Sequence, residues 1–175
     1  MSDTPLRDPP SPFVTEWIGR LRDSIRPPRR ALDVAMGRGR HVPSLAAAGC
    51  RVFGVDLNVE AVQTAMARGV PLRAWAADLT VFPLPPQHFD VILVTRYLQR
   101  DLFPALERGL TQGGVLFYET FLAEQRRYGR GPTSPDHLLH PNELRERLNA
   151  LDVLFYEEVL APDAMARIVA RQISA

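Results

Sequence analysis

Apolar residues along this chain fall into short runs divided by glycine, proline and charge, and their spacing changes from run to run. Phe13, Val14, Trp17, Ile18, Leu21 and Ile25 recur at helical spacing and predict an amphipathic helix that Pro27 and Pro28 end. The run 31–35, Ala-Leu-Asp-Val-Ala, lies between Arg29-Arg30 and Gly37, as a strand buried on both faces should. A helix follows over 41–48, with Pro43 in its first turn and Gly49 as its C-terminal cap. The unit repeats as a strand over 51–57 and a helix over 59–68, capped by Asn58 and closed by Gly69. A third strand spans 72–77, and after Pro83, Pro85 and Pro86 the run 89–95 is a nearly all-aliphatic fourth strand. A helix over 101–110 and a tight turn at Gln112-Gly113-Gly114 lead into a fifth strand over 115–120.

The tail reads differently. A polar loop over 121–140 precedes a helix over 141–149 and strands over 153–160 and 164–173. Residues 161–163 alone join those strands, which permits a hairpin and forbids a parallel crossover. The expected fold is α/β: a single Rossmann-like, doubly wound sheet of seven strands, mostly parallel with an antiparallel last strand, in three α/β/α layers. At 175 residues the chain fits one domain, over 13–175, behind a flexible arm at 1–12 that holds four of the sixteen prolines.

Composition narrows the chemistry. Apolar residues make up 46% and charged residues 23%, enough to bury a real core. Cys50 is the only cysteine, which excludes an internal disulfide, a CxxC pair and a thiolate zinc cluster. His137 and His140 lie three apart with no third ligand at matching spacing, so no metal is expected. All 21 basic residues are arginine, which removes Schiff-base, P-loop and kinase lysines together. A net charge of +1 disfavours a dedicated nucleic-acid binder. With no apolar run near the ~18 residues of a membrane span and no signal-type stretch at the start, a cytoplasmic protein without a membrane partner is expected.

The residues with chemical promise stand at the strand ends. In Asp33-Val34-Ala35-Met36-Gly37-Arg38-Gly39 a strand feeds a turn whose glycines, Gly37 and Gly39, let a ligand approach the backbone. A dinucleotide fingerprint begun at Gly37 needs glycine or alanine at 42, where Val42 stands, so a nicotinamide oxidoreductase is the weaker reading. Asp56 ends the second strand, where a carboxylate can accept hydrogen bonds from both hydroxyls of a ribose, and Asp78 ends the third. Each acid alone reads equally as a solvated strand-end residue. Together they fall where open α/β sheets bind ligands.

In these residues the chain resembles the class I S-adenosylmethionine-dependent methyltransferases, over nearly all of 13–174 and including the terminal hairpin. The resemblance implies S-adenosyl-L-methionine as cofactor and S-adenosyl-L-homocysteine as product. It implies that Asp33 and the turn through Ala35, Met36, Gly37 and Gly39 face the amino-acid part of the cofactor. His41 stands nearby, either at the cofactor or as a helix cap. By the same resemblance Asp56, with Leu57 beside it, takes the ribose hydroxyls, Asp78 and Leu79 border the adenine, and Thr95 and Arg96 line the methionine end. The family usually has glycine where Ala35 stands, which implies a tighter turn and weaker cofactor binding. The segments 32–41, 94–98, 118–121 and 128–132 resemble a bacterial group near the tellurite-resistance methyltransferases, which implies a small-molecule acceptor.

Methyl transfer from a sulfonium is an in-line displacement, so the protein's task is to align donor and acceptor and to exclude water. Glu119 and Tyr97 are the candidate catalytic groups, Glu119 as a base or acceptor ligand. The competing reading pairs Glu119 with Arg126, Arg127 or Arg130. Tyr97, Arg100, Tyr118, Tyr128 and Arg130 are the expected acceptor pocket, whose arginines suit an anionic or carboxylate group. The stretch Thr95-Arg96-Tyr97-Leu98 lacks the Asn/Asp-Pro-Pro-aromatic element of amino-methylating nucleic-acid enzymes, and Cys50 stands far from where cytosine chemistry needs a thiol. The sequence thus predicts a small-molecule methyltransferase, monomeric or homodimeric. The alternative is a cofactor-binding sensor or partner subunit without catalysis.

Overall fold

The computed structural model describes residues 9–22, 29–81 and 83–173. Most of the expected arm, up to residue 8, and the expected helix end over 23–28 lie outside the described residues. The architecture is a seven-stranded mixed sheet flanked by helices, mostly parallel and with its last strand antiparallel, as expected. The chain divides into two compact units, residues 1–77 and 78–175.

The first unit runs α1 (Pro12–Leu21), β1 (Arg29–Val34), α2 (Val42–Ala47), β2 (Cys50–Asp56), α3 (Val59–Met66) and β3 (Leu72–Ala76). Its strands are parallel in the order β3-β2-β1, with Ala31 opposite Val52 and Val55 opposite Trp75. Ala31, Leu32 and Val34 are wholly buried, which is why β1 reads as an uninterrupted apolar run. Helix α3 starts where the Asn58 side chain accepts the Ala61 N–H at 3.1 Å. Met36, Val62 and Ala65 form a buried cluster against Leu72 and Ala74.

The second unit runs β4 (Phe89–Thr95), α4 (Phe103–Gly109), β5 (Leu110–Phe121), α5 (Glu143–Arg147), β6 (Asp152–Val159) and β7 (Met165–Arg171). Strands β4 and β5 are parallel, and β7 runs antiparallel to both β5 and β6, giving β4-β5-β7-β6. Ile92, Leu93, Val94, Leu116, Ile168 and Val169 are fully buried at its centre.

Three local expectations change. The turn expected at 112–114 lies inside β5: pairing passes from Phe89–Leu110 directly to Val91–Val115, so residues 111–114 bulge from the ladder. Gly113 takes φ +74° there, and its N–H reaches the Gln172 carbonyl at 3.0 Å. The loop over 121–140 is organised by two 3-10 turns, Ala123–Tyr128 and Pro135–His137, and by a bridge between Leu122 and Leu139. The helix expected over 141–149 shrinks to α5, because Asn142 takes a left-handed φ of +65° and Leu148 has left helical geometry. Among the described residues no helix is long and apolar enough to cross a membrane.

Candidate active site

The turn after β1 is built from left-handed residues: Ala35, Gly37 and Gly39 take φ +52°, +54° and +71°. Ala35 bears a Cβ in a region where glycine is at ease, at a cost of about 1 kcal/mol. The Met36 N–H donates to the Val55 carbonyl at 3.1 Å, hooking the turn onto β2. The Met36 side chain fills the space that Gly54 leaves, since a Cβ there would stand 2.1 Å from its Sδ. A Cβ on Gly39 would meet Ala65 at 3.0 Å and Val42 at 3.1 Å, so α3 packs directly onto the turn. Around Gly37 the space is open, with nothing within 4 Å of an added Cβ.

Two carboxylates of this unit differ sharply. Asp33 is 0% exposed and neither oxygen accepts a hydrogen bond. Burial pushes its carboxyl up to about 7; Arg40 opposes the shift and the charge of Asp56 adds to it. His41, equally buried, holds Nδ1 at 3.9 Å from Asp33 Oδ2, and its Nε2 accepts the Ser11 N–H at 3.2 Å. Asp56 is the opposite case. Its Oδ2 accepts the Gly37 N–H at 2.7 Å and its Oδ1 accepts the Asn58 N–H at 2.9 Å, which fixes the carboxylate and leaves a lone pair on each oxygen. Leu57, next along, is 73% exposed.

The remaining candidates lie in the second unit. Asp78 is exposed, and its Oδ1 accepts both the Thr80 hydroxyl at 2.7 Å and the Thr80 N–H at 2.9 Å, bonds that lower its pKa; Leu79 is half-buried. Thr95 is buried, and Arg96 is exposed at φ +54° with its N–H donating to the Glu119 carbonyl at 2.8 Å. Glu119, 4% exposed, accepts from Arg167 Nε at 2.7 Å, and Arg167 also donates to Glu157 at 2.9 Å. The cation that Glu119 meets therefore comes from β7, directly across the ladder, and not from the loop arginines Arg126, Arg127 and Arg130.

The expected acceptor residues divide into two groups. Tyr118 is buried, stacks on Phe103 with ring centroids 5.4 Å apart, and donates to the Tyr97 carbonyl at 3.0 Å. Burial pushes its phenol well above the usual range. Arg100 grips both oxygens of Glu143 at 2.7 and 2.9 Å and the carbonyls of Asp136 and Leu138 at 3.0 and 2.8 Å. Tyr97, half-buried, donates its hydroxyl to Gln99. Tyr128 and Arg130 instead attach to the β6–β7 turn: Tyr128 donates to the Leu160 carbonyl, and Arg130 to Asp163 at 2.9 Å and the Pro162 carbonyl at 2.6 Å.

Sequence reasoning missed Ser11, Arg40, Gln125, Glu143 and Arg167. Buried Gln125 is the hub of the loop: it accepts the Ala164 N–H at 2.7 Å and donates to Asp163 at 2.9 Å and the Arg130 carbonyl at 3.2 Å. Four of them have at least one partner 30 or more positions away, which no short-range pattern marks: Ser11 pairs with His41, Gln125 with Asp163, Glu143 with Arg100 and Arg167 with Glu119.

Residues 31–114 match the family model described as a methyltransferase domain. No curated protein matches the sequence. Among solved structures, an S-adenosylmethionine-dependent methyltransferase from Mesorhizobium loti superposes with a TM-score of 0.69 at 18% identity, covering 90% of this chain and 97% of its own. TehB from Haemophilus influenzae gives 0.69 at 19% identity over 88% of this chain and 62% of its own. The [4+2]-cyclase SpnF gives 0.72 at 18% identity over 93% and 81%. Residues 31–114, just under half of the chain, are thus similar to a methyltransferase domain, and the fold is that of the class I S-adenosylmethionine-dependent methyltransferases, the class whose cofactor is S-adenosylmethionine.

Proposed function

We propose that the protein binds S-adenosylmethionine through the turn after β1 and transfers its methyl group in line to a small-molecule acceptor. One observation carries this reading: a fully buried carboxylate with no hydrogen-bond donor, Asp33, stands beside a turn whose Gly37 is tied to a second, half-exposed carboxylate, Asp56. A buried acid without a donor suits an arriving cation, here the cofactor's ammonium group. The lone pairs left on Asp56 suit a ribose diol, and exposed Leu57 offers adenine an apolar surface. The open space at Gly37 admits the ligand to the backbone.

Bound S-adenosylmethionine supplies an electrophilic sulfonium methyl. The chain's own residues orient and shield, since the displacement needs no protein nucleophile. The resemblance assigns Thr95 and Arg96 to the methionine end and Asp78 and Leu79 to the adenine, and the sequence offers Tyr97 for the acceptor. Glu119, held against Arg167, orders that arginine rather than abstracting a proton. Arg100 and Tyr118 shape the wall instead of binding the acceptor, because their polar groups are engaged with Glu143 and Tyr97.

That engagement favours a second reading, a cofactor-binding protein without methyl transfer. The same fold carries a [4+2]-cyclase, so fold alone does not fix the reaction. Calorimetric titration with S-adenosylmethionine and S-adenosylhomocysteine tests the cofactor, and release of S-adenosylhomocysteine across thiol, carboxylate, amine and oxyanion acceptors tests transfer. Absence of binding ends both readings, and binding without turnover on any acceptor selects the second.

A further inference from the structure

Helix α1 begins on Ser11, which is only 5% exposed, and Phe13, Val14 and Ile18 bury its inner face. The Ser11 carbonyl serves the helix itself, accepting the Thr15 N–H at 3.0 Å and the Thr15 hydroxyl at 3.1 Å. Its N–H points elsewhere, onto Nε2 of His41, thirty residues further along the chain. A nitrogen that accepts carries no proton, so the neutral ring holds its proton on Nδ1. That edge of the ring faces Asp33 Oδ2 at 3.9 Å, too far for a hydrogen bond but with its positive end toward the carboxylate. His41 thus stands between the start of α1 and the buried acid of the candidate cofactor pocket, and both the ring and the acid are only 1% exposed.

We propose that His41 is a positioning residue that couples docking of α1 to cofactor binding: the Ser11 N–H fixes the imidazole, and the imidazole closes the wall that keeps Asp33 dry. The inference rests on the reading of Asp33 as the ligand of the cofactor's cationic end. Without α1 the ring loses the Ser11 N–H, and water gains a path to Asp33. A hydrated carboxylate attracts an arriving cation far less than a desolvated one. By thermodynamic linkage the cofactor must hold α1 down by the same factor by which a docked α1 tightens the cofactor.

Three variants with two readouts test this. Trypsin cleavage after Arg20 and Arg22 reports opening of α1, and calorimetry reports affinity for S-adenosylhomocysteine. In the wild type the ligand slows cleavage. His41→Leu removes the acceptor; it is expected to speed cleavage, weaken the ligand about tenfold and abolish ligand protection of α1. Ser11→Pro removes the donor at a residue whose φ of −60° already suits proline, and it should act the same way. That variant decides if His41→Leu fails to fold by circular dichroism. His41→Gln, whose amide oxygen can accept the Ser11 N–H, should restore protection, a rescue that mere loss of packing does not predict. Wild-type-like affinity in both folded disrupting variants, or wild-type binding with no protection of α1, overturns the coupling alone. A wild type that binds no ligand overturns the cofactor reading and the coupling with it.

Discussion

Replacing Asp33 with asparagine separates a buried, titrating carboxyl from an ordinary strand-end acid. Burial raises the Asp33 pKa from 3.8 to about 7. An acid with a raised pKa binds its proton more tightly folded than unfolded, so its contribution to stability falls as pH rises from about 4 to about 7 and is level above. Treated as one site, the penalty is about 2 kcal/mol at pH 5 and about 4 kcal/mol at pH 8. The amide introduced by Asp33→Asn does not titrate. Its own cost, a buried polar group with unmet hydrogen bonds, is about 1–3 kcal/mol and the same at both pH values. The absolute stability of the variant is therefore uninformative, but its stability relative to wild type should improve by about 2 kcal/mol between pH 5 and pH 8 in urea denaturation. Ligand binding carries the complementary sign. If the ionised carboxylate meets an ammonium group, wild-type affinity for S-adenosylhomocysteine rises about tenfold from pH 6 to pH 8, while the variant binds weakly and without that slope. Parallel denaturation profiles across this range would show that Asp33 is solvated or partnered, and the cofactor argument built on it would fall.

Other substitutions probe single contacts. Asp56→Ala should weaken S-adenosylhomocysteine about tenfold, or ~1.4 kcal/mol, and unchanged calorimetric affinity would remove Asp56 from the ribose site. Burial favours a higher pKa for Glu143, but Arg100, the His140 N–H and Arg147 outweigh it and hold the carboxyl down to about 2 from 4.5. Glu143 therefore stabilises the fold above pH 4.5 and loses that contribution as pH falls toward 2; Glu143→Gln should flatten the acid limb of the stability profile, and a limb identical to wild type would refute the network. Gln125→Leu strands the Ala164 N–H in the interior and removes one of the two side-chain donors to Asp163, leaving Arg130, a loss of about 2–3 kcal/mol readable in a thermal melt. Gly39→Ala combines a left-handed φ with contacts near 3 Å to Ala65 and Val42, and should cost about 2 kcal/mol; a neutral substitution there would mean that α3 does not press on the turn.

What the sequence made legible is what local spacing constrains. Continuous aliphatics in 89–95 require a doubly covered strand, and three residues at 161–163 require the last two strands to reverse direction. Neither constraint says where the reversed strand inserts. Because β7 lies between β5 and β6, Arg167 falls opposite both Glu119 and Glu157, a pairing fixed by register and not by sequence distance. Tyr118 and Glu119 are neighbours in sequence and both plausible at a strand end, yet the period-two alternation of a strand sends them to opposite faces. Tyr118 packs on Phe103 while Glu119 meets Arg167, so one pocket cannot use both side chains. Asp33 was visible as an acid beside a glycine turn, but its isolation was not. It lies opposite Gly54, which brings no side chain to it, and the histidine ring 3.9 Å from it is held by the backbone of a residue thirty positions further back. The chemistry of such a carboxylate comes from what the fold withholds, a donor and water, and a sequence shows only what is present.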